Sequence, residues 1–154
     1  MQQIIASAAI TEQPDTIAPA TTPHTSFGVA ESLMPGVMLL ARGPATGTLA
    51  LAFLCAHVLE CLLKSYLSKV GISDASLRKK SIRHDLNALW SLAGSHGLRV
   101  PATPPVWAAC LSGLHGPPYY LRYSTGVHAI VSPAAEPMAS ELAGLLELVR
   151  EQLQ

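Results

Sequence analysis

The stretch TLALAFLCAHVLECLLKSYLSKVG, residues 48–71, decides the fold. No proline or glycine interrupts it from Thr48 to Val70, and Gly71 then supplies the residue that closes a helix in a left-handed conformation at no steric cost. The spacing predicts one long helix. Its first half, Leu49–Leu59, is apolar nearly all round, which predicts a central, buried helix. At about 100° per residue, His57, Glu60, Cys61, Lys64 and Ser68 fall on one narrow stripe of that helix. A polar stripe on so apolar a helix needs partners, because burying an unpaired charge is costly.

Outward from this helix the chain divides by composition. Residues 1–30 carry Pro14, Pro19 and Pro23 among Thr, Ala and Gln without an apolar period, and predict a flexible, disordered N-terminal tail. Residues 31–154 read as one helical domain. Asp85–Ser95 places Leu86, Leu89, Trp90 and Ala93 at the i, i+3, i+4, i+7 spacing of an amphipathic helix. Met138, Leu142, Leu145, Leu146, Val149 and Leu153 form a second such stripe, with Pro137 read as its first helical position. Shorter helices are predicted over Glu31–Ala41 and Pro105–Leu114, whereas Gly116–Pro133 is too broken by Pro and Gly to be one helix. The expectation is an all-α bundle of four or five helices around the Leu49–Ser68 helix.

Composition bounds the function. Of 154 residues, 49% are hydrophobic and only 13% are charged, against roughly 25% for an average soluble domain, which excludes a chain disordered throughout. Two long uncharged stretches invite a membrane reading. Gly43–Leu59 contains Pro44, Gly47 and His57, and Val100–Leu121 contains five prolines, so neither offers the roughly 20 clean apolar residues of a span. No membrane partner is expected. The first basic residue is Arg42, so the leader lacks the positive region of a secretory signal. Cys55, Cys61 and Cys110 form no CxxC, and an odd, sparse set of thiols points to a reducing cytoplasm.

A formal net charge of zero conceals an uneven distribution. Residues 64–122 hold eight Lys and Arg against Asp74 and Asp85, a local +6 that is densest at Leu77–His84. Arg78, Lys79, Lys80 and Arg83 are therefore candidate phosphate contacts, the alternative being a loop that merely keeps the surface soluble. Local motifs exclude several enzyme classes. The chain has no GxSxG, Walker loop, dinucleotide fingerprint or HExxH, so no cofactor is expected. A metal site from His57, Glu60 and Cys61 lacks a second ligand cluster, so no metal is assigned. The preferred reading is a polar network in which Glu60 pairs with Lys64, His84 or Arg122. His96 and His115 each precede a glycine, as histidines in a last helical turn do, and are given no role.

The segment Tyr119–His128, YYLRYSTGVH, is the one with chemistry in it. Arginine grips phosphate oxygens in a fork, histidine exchanges protons near neutral pH, and tyrosine faces such as those of Tyr120 and Tyr123 stack on unpaired bases. Arg122 and His128 together form the minimum set for cleaving RNA without metal.

The ordered set His57-Val58-Leu59-Glu60-Cys61-Leu62-Leu63-Lys64, then His84-Asp85-Leu86, then Leu121-Arg122-Tyr123 resembles the HEPN superfamily of small helical domains, over roughly residues 31–154. The resemblance implies a HEPN-like bundle that forms a homodimer. Many members are metal-independent ribonucleases with an Arg-x(4–6)-His motif facing the dimer cleft. Others are inactive, binding RNA or a cognate protein partner in toxin–antitoxin and defence modules. Arg122-x5-His128 meets the spacing but departs from the pattern in Tyr123, where a polar residue is usual, and in Gly126, which lies between the pair. The resemblance implies catalysis by Arg122 and His128, with His57, Glu60, Lys64 and His84 ordering the arginine from behind. The rival expectation is a non-catalytic dimerisation or protein-interaction module.

Overall fold

The computed structural model describes residues 22–44, 47–123 and 129–154. Among these it is all-helical: α1 (Thr22–Ala41), α2 (Thr48–Lys69), α3 (Asp74–Leu77), α4 (Leu86–Ser95), α5 (Val106–His115) and α6 (Ala135–Leu153), with no strand. The five expected helices are all present, and α3 adds a single turn. That turn forms because the Ser73 hydroxyl accepts the Ser76 backbone N–H.

The helix read from residues 48–70 is the hub. It packs against α1, α4, α5 and α6, most extensively along α1. Its end is built as the sequence predicts: Gly71 has φ +94°, and the Gly71 and Ile72 amides donate back to the Ser68 and Leu67 carbonyls. The same closure recurs at Gly97, φ +99°, where the Gly97 and Leu98 amides return to Gly94 and Ala93. α4 begins one residue later than expected because the Asp85 carboxylate caps it, accepting the Ala88 amide at 3.0 Å. The predicted apolar stripes of α4 and α6 are buried at every named position.

Four expectations need correction. The first concerns the tail, expected to reach residue 30: α1 begins at Thr22 and takes in residues 22–30. Pro23 suits a first turn, where its missing N–H removes no helix bond, and its carbonyl accepts the Ser65 hydroxyl of α2 at 2.7 Å. Ala30 is fully buried and Phe27 packs on the core beneath the Arg150 guanidinium. The second concerns the first half of α2, which is not buried all round. Leu49 and Phe53 are 53% and 37% exposed, and burial becomes dense only from Cys55 onward. The third is small: α6 starts at Ala135, so Pro137 is its third residue. The fourth concerns the membrane reading: α2, taken over its full length, is long and apolar enough to cross a membrane. Here it is the core helix, with twelve residues buried against its neighbours.

Candidate functional site

The site grows from the polar stripe of α2. Glu60 has a side chain only 8% exposed, and it accepts three hydrogen bonds. Lys64, one turn on, donates from Nζ to Oε1 at 2.5 Å. His84, in the loop before α4, donates from Nδ1 to Oε2 at 3.1 Å, and His115, the last residue of α5, donates from Nε2 to the same oxygen at 2.5 Å. Burial pushes the Glu60 carboxyl up, but the hydrogen bonds from His115, Lys64 and His84 and the lysine charge outweigh it and hold it down at about 2. Glu60 is therefore a carboxylate with no proton to donate, which requires the facing nitrogen of each histidine to carry the hydrogen.

This proton placement orients the rings. The His84 Nε2 makes no hydrogen bond to another described residue, and the ring lines a pocket of about 180 Å3 with Arg83, Tyr119, Arg122 and Tyr123. A carboxylate on one imidazole nitrogen with the other left without a protein partner is the arrangement by which a histidine is held as a base. Tyr119 adopts φ +66°, an uncommon conformation for a non-glycine residue. The turn that imposes it is fixed by the Arg122 and Tyr123 amides, which both donate to the Tyr119 carbonyl. It sets the Tyr119 ring edge-on to both His84 and Tyr123, at 5.9 and 6.2 Å between centroids.

Of the residues singled out from the sequence, the structure brings Lys64 and His84 onto the Glu60 carboxylate, leaves His57 within reach of its charge, and places Arg83, Arg122 and Tyr123 around the adjoining pocket. The expected pairing of Glu60 with Lys64 or His84 holds for both. Arg122 does not pair with Glu60; it is exposed on the pocket wall, and its charge still acts on His57. The His57 pKa is lowered by burial, with the cationic neighbours opposing the pull of Glu60. Tyr120 is half-buried and does not line the pocket, whose aromatic walls are Tyr119 and Tyr123. Arg78 pairs with Asp74 at 2.7 Å, while Lys79 and Lys80 are exposed outside the pocket. His128 lies outside the described residues.

His115 is the residue that sequence reasoning missed. It ends α5 before Gly116 as its place in the sequence predicts, but it is also fully buried and donates to Glu60, a role the sequence reading did not give it. The available signal was quantitative: a carboxylate inside an apolar helix needs more donors than one lysine provides, and histidines are the remaining candidates.

Three donor atoms of Glu60, His84 and His115 lie within 4.8 Å of one another, a carboxylate–imidazole set that suits a transition metal such as zinc. Two features favour protons over an ion. Lys64 already neutralises the carboxylate. If His115 Nε2 ligated a metal, its proton would move to Nδ1, which is buried without a hydrogen-bond partner in the structure. In the other metal set weighed from the sequence, His57, Glu60 and Cys61, the thiol is a poor ligand. Cys61 Sγ lies 3.9 Å from the His57 ring, but burial and the nearby Glu60 charge push its thiol up to about 11, which disfavours the thiolate. All three cysteines are free thiols.

Comparison with protein-family models, with curated proteins and with solved structures gives no match to this chain.

Proposed function

We propose that this chain is a HEPN-like, RNA-associated domain of the defence or toxin–antitoxin kind that cleaves RNA without a metal. One observation carries the reading: two arginines, Arg83 and Arg122, flank a histidine that a buried carboxylate holds in a small aromatic-walled pocket. The arginines suit a phosphodiester, and the exposed ring of Tyr123 suits an unpaired base. In such a cleavage the ribose 2′-oxygen attacks phosphorus, a base takes its proton, and the 5′-oxygen leaves with a proton from an acid. The product is a 2′,3′-cyclic phosphate. Arg122 neutralises the charge gathered on phosphorus, and His128 takes or gives a proton, as the Arg-x5-His spacing suggests. The three free thiols suit a reducing compartment, the cytoplasm.

A second reading, a dimerisation or protein-interaction module, is favoured by a different observation. Leu39 is 75% exposed at the end of α1, and Leu49 and Phe53 are exposed at the start of α2, so three large apolar side chains gather at one end of the hairpin. The two readings coexist if the protein works as a homodimer or with a cognate partner.

The test is cleavage of varied RNAs in excess EDTA, with light scattering on the same samples. Wild type is expected to cleave, and Arg122→Ala to lose about 100-fold or more while keeping its thermal melt. His128→Ala decides whether that histidine belongs to the mechanism. Absence of cleavage in wild type across all RNAs would leave the interaction module as the reading.

A further inference from the structure

Resting on the RNA-cleavage reading but separable from it, we infer that the pocket of Arg83, His84, Tyr119, Arg122 and Tyr123 seats the phosphate of an anionic ligand, and that His84 is the side chain whose proton answers to it. The first support is size. A volume of about 180 Å3 is below the roughly 300 Å3 at which small-molecule pockets begin, so it admits an anionic group of a larger ligand rather than a whole metabolite. The second is charge. Arg83 and Arg122 are both exposed residues that line the pocket, and neither makes an ion pair with a described residue.

The third support is the fixed orientation of His84. Its Nδ1–H is committed to Glu60, and Glu60 is held in turn by the fully buried His115 and by Lys64, so the ring cannot turn over without breaking that bond. Nε2 is left to accept a proton and to offer it to an anion. The charged and titratable groups around the ring are Glu60, Lys64 and His57 from α2 and His115 from α5. Arg83 and Asp85 flank it in its own loop, and Tyr119, Arg122 and Tyr123 follow α5. Arg83 and Arg122 keep their charge at any working pH. Glu60 stays ionised under its three donors, and Asp85 is occupied with the Ala88 amide and the Ser112 hydroxyl. His115 and His57 do not line the pocket. Proton uptake on anion binding therefore falls to His84.

The probe is a deoxydinucleotide with one phosphodiester, which keeps a single charge from pH 5.5 to 8 and has no 2′-hydroxyl to be cleaved; sulfate serves as the bare anion. Histidine ring protons are followed by NMR and binding by calorimetry at both pH values. We expect saturable binding of the dinucleotide, about tenfold tighter at pH 5.5, since a charged donor to phosphate is worth roughly that over a neutral one. In wild type the His84 midpoint moves up when the probe is bound. His84→Asn flattens the pH dependence, and Arg122→Ala removes most binding at both pH values. Sulfate binding with the same pattern places recognition on the anion alone, and dinucleotide binding without sulfate binding adds the tyrosine walls. The inference is overturned by no saturable binding of either probe, or by a wild-type His84 midpoint that does not move. Binding as expected with no RNA cleavage refutes the ribonuclease and leaves this site standing. RNA cleavage with an unmoved His84 does the reverse.

Discussion

Glu60→Ala is expected to destabilise the protein by about 3–5 kcal/mol, the cost typical of removing one partner from a buried charged cluster. For a chain of this length that lowers the melting temperature by roughly 10 °C or more. The effect is unequal among the three partners. Lys64, with a side chain 20% exposed, can swing its ammonium to water. His115 cannot, because it is fully buried and its other nitrogen already lacks a partner, so it would have neither nitrogen satisfied. Glu60→Gln keeps an acceptor for one donor and should lose less. Acid supplies an independent measurement. The Glu60 carboxyl sits at about 2 when folded against an ordinary value of 4.5. Because the folded value is the lower one, its contribution is complete above about pH 4.5 and is lost as pH falls towards 2. That depression corresponds to about 3 kcal/mol. Chemical denaturation at pH 6 and pH 3 should show a loss in wild type that is markedly smaller in Glu60→Gln. A wild-type stability that is flat across that interval would show that the carboxylate is not held by its neighbours.

The site was half legible in the sequence, for a reason that lies in helix geometry. The stripe His57, Glu60, Lys64 is a local property, fixed once residues 48–70 form a helix, and the structure gathers these residues as expected. Which distant residue meets Glu60 is not local. His84 and Arg122 were both candidates by charge, and a nearby arginine is ordinarily the stronger partner. The structure gives the contact to His84 and His115 because the end of α5 points His115 into the core, while the turn at Tyr119 carries Arg122 outward to the pocket wall. That turn depends on a positive φ at a tyrosine, which no residue preference announces. Arg122 is thereby left available for a ligand instead of being spent on Glu60.

The helices were legible wherever an apolar period ran for about two turns or more, as in α4 and α6, and were misjudged where burial falls on small residues. α1 shows this best, because Ala30 and its neighbour Val29 test the corrected boundary directly. Thr22–Val29 offers one large apolar stripe residue, Phe27, beside Pro23 and Gly28, so its sequence resembles a tail. Yet Ala30 is fully buried, while Val29 next to it is 39% exposed. If residues up to 30 were a flexible tail, Val29→Asp and Ala30→Asp would be equally harmless. In the folded bundle they differ sharply. Ala30→Asp forces a larger, charged side chain into a fully buried site, a change expected to cost at least about 3 kcal/mol. Val29→Asp puts its charge in water and should stay within about 1 kcal/mol. Thermal and urea unfolding of the two variants should therefore separate by several degrees, with Ala30→Asp the less stable. Equal stability would return residues 22–30 to the tail. It would also leave the Ser65 hydroxyl, now held by the Pro23 carbonyl, without the partner that draws α1 onto α2.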